Sequence, residues 1–205
     1  MSVVLLGSFN PAIFQPGWLA RHELVAVDEA DAADVQIVSR EVTQFSTELF
    51  DIQVTHDQFV ATTARVPSFG MLLDLVVGIF ERLRYTPVSR MGINRDVHVR
   101  MASEDAWHHL GHRLVPPDVW DSFLKSPGMR AVVVEGLRPD KRAGNVFIRV
   151  EPSGRVHPGV YMQQNDHFEL GEAADDASAA LEVLKQEWSA SLDRAEEAFR
   201  QVLND

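Results

Sequence analysis

The residues best suited to chemistry or recognition lie on one stretch: Arg90, Asn94, Asp96, His98 and Arg100. All five are even-numbered, and in a strand that spacing places their side chains on one face. Guanidinium forks suit a carboxylate or phosphate, and histidines change charge near neutral pH. If later strands pair back onto this one, Arg149, His157, Tyr161, Gln163 and His167 extend the face. The alternative is the ordinary solvated side of an antiparallel sheet. A second group, Glu104, His108 and His112, is spaced i, i+4, i+8 and shares one face of a helix. Two histidines one turn apart can hold zinc through imidazole nitrogens. The metalloprotease pattern needs glutamate directly after the first histidine, where His109 stands, and Gly111 loosens the helix. The expected metal complement is therefore none, with these histidines on a solvated face near the helix C-terminus. No Ser-His-Asp order, glycine-rich phosphate loop or close carboxylate pair is present, so no catalytic residue is assigned and no cofactor is expected. Asn165-Asp166-His167 reads as a polar strand end, and Trp18, Trp107, Trp120 and Trp188 read as packing residues.

The elements that must position these residues follow from hydrophobic periodicity. Phe69, Leu72, Leu73, Val76, Phe80 and Leu83 recur at helical spacing, and Met71, Leu75, Val77 and Ile79 make that helix apolar almost all round. A helix apolar on most sides is predicted to be buried. After Pro87, the stretch Val88 to Met101 alternates as a strand, with Met91, Ile93, Val97, Val99 and Met101 on the apolar face and only Arg95 out of place. Before the helix, short β-prone runs are predicted at Ser2 to Leu6, Leu24 to Val27, Val35 to Val38, Val42 to Phe45, Leu49 to Val54 and Phe59 to Ala64. Their short connections imply antiparallel pairing. Ser103 is a predicted N-cap for a helix running to about Gly111, and Pro116-Pro117 opens another short helix ending near Pro127. Three strands follow, Met129 to Leu137, Val146 to Glu151 and Val156 to Gln164, as a meander continuing the sheet begun at Val88.

From about Ala173 to the end the pattern is helical, with Leu181, Leu184, Trp188, Leu192, Ala195, Phe199 and Val202 as an apolar stripe. A helix on the order of 45 Å long exceeds the roughly 20 Å of a six-residue strand, so part of the stripe is expected to dock on a second subunit. The predicted fold is α+β: an antiparallel sheet packed around a buried central helix, with a long C-terminal amphipathic helix. The body is placed at 1–172 and the helix at 173–205. No internal repeat is apparent.

The order of this helix followed by Thr86-Pro87-Val88-Ser89-Arg90-Met91-Gly92-Ile93-Asn94 resembles a stretch of a sporadic group of bacterial proteins. About 40 residues carry the resemblance. It implies a bacterial α+β protein and no particular activity.

Composition narrows the classes. The 205-residue chain carries a formal net charge of −11, which opposes binding to nucleic-acid phosphates. From residue 172 onward nine acids face three bases, so the acidity is concentrated in the terminal helix. There is no cysteine, which excludes disulfides, thiolate metal sites and a cysteine nucleophile. No apolar run has the length of a membrane span or a signal-peptide core, and a cytoplasmic location without membrane association is expected. The sequence favours a non-enzymatic interaction or assembly protein, a homodimer or a subunit of a complex joined through the C-terminal helix. The alternative is a small-ligand-binding protein or enzyme using the face around Arg90, His98 and Arg100.

Overall fold

The computed structural model describes residues 1–171 and 175–204. Its strands are β1 (Ser2–Gly7), β2 (Asp34–Val38), β3 (Val42–Ser46), β4 (Asp51–Thr55), β5 (Gln58–Thr62), β6 (Val88–Arg100), β7 (Val132–Leu137), β8 (Asn145–Pro152) and β9 (Gly159–Glu169). The helices are α1 (Pro16–Arg21), α2 (Val27–Asp31), α3 (Phe69–Arg82), α4 (Glu104–Leu114) and α5 (Ser178–Leu203). All nine strands form one antiparallel sheet in the order β2-β3-β4-β5-β1-β6-β9-β8-β7. The fold is α+β, with a large antiparallel sheet and a C-terminal helix.

Two halves of like topology meet at the centre. β1 is followed by helices and by a meander whose last strand, β5, returns to pair with it before α3. β6 is followed by α4 and by a meander whose last strand, β9, returns to pair with it before α5. β1 and β6 pair antiparallel where the halves meet, and the first half has one strand more than the second.

Alternation decides which face is covered. Val3 and Leu5 on β1 lie opposite Ile93 and Met91 on β6 and opposite Ala61 and Phe59 on β5, and all six are buried. Helix α3 sets Leu72, Leu75, Val76, Ile79 and Phe80 onto this face. The Phe80 ring meets Phe59 edge-on at 5.1 Å between centroids, with Phe9 at 6.0 Å and Phe14 at 6.2 Å. The predicted arrangement of a sheet around a central helix is corrected here. The sheet is a single layer and α3 lies on one side of it, with Met71, Asp74 and Glu81 exposed on its outer surface. Five buried side chains at helical spacing are enough to anchor it; the sheet, not the helix, organises the molecule.

Helix α5 runs along β9 and β6. Its first half packs Ala180, Val183, Leu184 and Trp188 into the large core with Phe168, and its second half packs Ala195 and Phe199 into a smaller core with Val160 and Met162. Every residue of the predicted stripe is buried or half-buried within this chain. The expected overhang onto a second subunit rested on six-residue strands. β6 has 13 residues and β9 has 11, about 43 and 36 Å, which matches the roughly 39 Å of a 26-residue helix. The boundary expected at Ala173 falls outside the described residues.

Between the two cores the helix-side face carries a polar belt. Asp166 is fully buried and accepts from Arg138 and Arg194, both of which also pair with Asp140. Gln164 donates to the Ser191 carbonyl at 3.2 Å, and Arg95 lies 4.9 Å over the Phe69 ring. Two local expectations differ. Leu24 to Val27 is not a strand: Pro16 starts α1, and Leu24 and Val25 then pack against the core before α2. The segment after Pro116 makes a 3-10 turn at Pro117–Val119 and further hydrogen-bonded turns as far as Leu124, short of a regular helix to Pro127. Among the described residues no helix is long and apolar enough to cross a membrane.

Candidate functional site

On the open face of the sheet, the strand register brings part of the predicted row together. His98 lies opposite Tyr161, Asp96 opposite Gln163, and Gln163 opposite Arg149. His98, Tyr161, Gln163 and Arg149, with Glu151, Gly154 and Arg155, line a shallow cleft of about 520 Å³. The Tyr161 hydroxyl has its pKa raised by burial first, then by the nearby Asp96 and Glu151 carboxylates. Arg90 stands ten residues from Arg100, about 33 Å along the strand, so the row as a whole does not converge on one small ligand.

Several of its members already have partners within the chain. Asp96 accepts from the N-terminal ammonium at 3.1 Å, Arg100 donates to the His157 carbonyl at 2.7 Å, and the His98 Nδ1 lies 2.8 Å from the Ser153 hydroxyl. Asn94 donates to the Ser2 hydroxyl, while its carbonyl oxygen and that of Asn165 flank the space over Gly92 without partners. His167 faces Glu169 at 3.0 Å near the far end of the same face. His157 does not extend the row; its ring turns toward α4, edge-on to Trp107 at 5.4 Å and 3.4 Å from Glu104. Glu104 thus faces His157, while the His108 and His112 rings stand 6.1 Å apart on α4. Among the described residues no group of three His, Asp or Glu side chains is placed to hold a metal ion.

The more enclosed site lies on the helix side. Ser103 caps α4 by accepting from the Ala106 amide at 3.1 Å, and Glu104 and Asp105 complement the dipole of the first turn. This start fixes the rotation of α4, so that Leu110 enters the small core beside Val150, Val160 and Met162. Residues 115–131 then wrap back over the helix, bringing Met129 against Gly111. Between helix, loop and strand ends lies a cavity of about 530 Å³, walled by Trp107, Leu110, Met129, Pro152 and Val160. His108, His112, Asp121 and Ser126 provide polar groups at its lining.

The cavity exists because the two halves are filled differently. The first half closes its core with Phe9, Phe14, Phe45, Phe59 and Phe80. The core under α4 has Phe199 as its one buried aromatic side chain, the rest being aliphatic or methionine, and leaves space. Sequence reading passed over this site, placing Trp107 as a packing residue. A usable signal was the 17-residue connection rich in proline after α4, because long irregular connections in compact domains are commonly functional.

No protein-family model matches the chain, and no curated protein matches it either. Among solved structures, the crystal structure of DynU16, a protein of the dynemicin biosynthetic locus, aligns over 97% of this chain and 98% of that one, at 15% identity and a TM-score of 0.25. A likeness of that degree carries no argument for fold or function.

Proposed function

We propose that this protein binds a small, mainly apolar molecule in the cavity beneath α4. The observation that carries the reading is the cavity itself. Its volume of about 530 Å³ falls within the roughly 300–1,000 Å³ of small-molecule sites, and apolar walls with a few polar groups are the composition such sites have. Apolar surface continues onto the covering loop, where Trp120, Phe123 and Leu124 are exposed. The assembly reading of the sequence depended on a free apolar stripe along the C-terminal helix, and that stripe is used inside this chain. The small-ligand alternative is retained, with its site moved from the open sheet face to the helix side.

Filling the cavity tests the reading. The Cβ of a side chain at Gly111 would meet only Met129, at 3.9 Å, so Gly111→Leu projects into the space without a backbone clash. Replacing a helical glycine also stabilises the helix by about 0.5–1 kcal/mol. N-phenyl-1-naphthylamine, an uncharged apolar fluorophore, should bind the wild type saturably with one site per chain. Gly111→Leu should weaken that binding at least tenfold while the melting temperature holds or rises. Equal binding by the variant, or fluorescence that never saturates, would overturn the proposal.

A further inference from the structure

The cavity beneath α4 is not closed where it reaches the edge of the sheet. Strand β7 pairs with β8 only as far as Val132 opposite Val150, so the last two residues of β8, Glu151 and Pro152, run on without a neighbour on that side. The chain entering β7 passes this bare edge as residues 129–131. A second depression of about 710 Å³ lies there, lined by Met129, Arg130, Ala131, Arg149, Glu151 and Pro152. Met129 and Pro152 wall both spaces, so the apolar cavity and this charged depression adjoin, with those two side chains between them.

The charge at the outlet is opposite to that of the chain. In a molecule of net charge −11, the depression contains two guanidinium groups and one carboxylate. Glu151 takes one edge of Arg149, accepting from Nε at 2.9 Å and Nη2 at 2.5 Å. Arg130 is exposed, and among the described residues no hydrogen bond or ion pair engages it. A guanidinium that retains its full fork and stands beside an apolar cavity is suited to a carboxylate or phosphate carried on an apolar body.

Resting on the proposed cavity, we infer that the ligand is an amphipathic acid. Its apolar part lies beneath α4, and its anionic group crosses Met129 and Pro152 to meet Arg130, with the free edge of Arg149 behind it.

Displacement of N-phenyl-1-naphthylamine by a matched pair of probes, decanoate and 1-decanol, separates the acid from the apolar body. The wild type should prefer decanoate by about tenfold at low salt, with the preference shrinking as ionic strength rises. Arg130→Gln should bring decanoate down to the level of 1-decanol and leave 1-decanol unchanged. Equal displacement by both probes in the wild type, or a preference for decanoate that survives both Arg130→Gln and Arg149→Gln, would overturn the acid while leaving the apolar cavity standing. Failure of the fluorophore to bind at all would instead remove the cavity reading and this inference with it. Methyl-phosphate or acetate alone, lacking the apolar body, should not compete at concentrations where decanoate does.

Discussion

Asp166→Asn tests the buried belt that joins α5 to the sheet. Asp166 has no exposed side-chain surface, nor has Arg138, while Arg194 and Asp140 are each about one-fifth exposed. The wild-type square is neutral: two carboxylates against two guanidiniums, with the Arg138 guanidinium also lying 3.6 Å over the Phe168 ring. The asparagine keeps the shape but removes one charge, leaving two guanidiniums to share Asp140. Breaking a buried pair by neutralising one partner costs about 3–5 kcal/mol, because the remaining charge is desolvated without compensation. For a chain of this size about 2–4 °C of melting temperature accompanies each kcal/mol, so the expected fall is roughly 6–20 °C. Urea denaturation followed by far-ultraviolet circular dichroism gives the free energy directly. The joint replacement Arg138→Met, Asp140→Asn, Asp166→Leu, Arg194→Met, which removes all four charges, should recover most of the loss, since well-packed uncharged groups commonly substitute for a buried ionic cluster. A cost below about 1 kcal/mol for Asp166→Asn would refute the reasoning, because it would mean that water already solvates the belt.

Two further perturbations probe neighbouring parts of the fold. Phe80→Ala should cost about 3–5 kcal/mol, since the ring is fully buried among Phe9, Phe14 and Phe59; a denaturation midpoint within error of the wild type would show that α3 is not anchored there. Burial alone would raise the Asp140 pKa, but the Arg138 hydrogen bond, the Arg142 amide and the charges of Arg138 and Arg194 outweigh it and hold the carboxyl below its ordinary value. A depressed folded-state pKa contributes stability that is present above the unfolded value near 3.9 and lost as the pH falls through the folded one. The stability difference between wild type and Asp140→Asn should therefore be full above about pH 5 and close in stronger acid; a difference constant from neutral pH to pH 2.5 would contradict this.

What could be read from the sequence was whatever local periodicity and capping decide. The β6 strand, its apolar and polar faces, the α3 helix, the Ser103 cap and the α5 stripe follow from side-chain spacing and backbone chemistry within a few residues, and each occurs where the spacing puts it. Hairpin-length turns made β7, β8 and β9 legible as a meander, but not that its last strand would return beside β6 and set His98 opposite Tyr161. Arg95 on the apolar face was visible as an exception, but not its purpose, since the polar belt it joins is assembled from β6, β9, α5 and the Arg138 turn.

Tertiary structure alone decided the rest. Two halves without apparent sequence repetition share one plan apart from an extra strand in the first, because a strand that pairs with the end of its own meander can be built from many sequences. Asp166 reads as a polar strand end along the chain, yet two arginines that lie 28 residues away on either side make it the centre of a buried ion cluster. The length of the C-terminal stripe points to a second subunit only if the strands beneath it are short; β6 and β9 are long enough to run under the whole helix, and every stripe residue is at least half-buried in this chain. The cavity is the furthest from sequence of all. It is defined by where large side chains are missing, and an empty volume between α4, a proline-rich loop and two strand ends leaves no periodic trace in the residues around it.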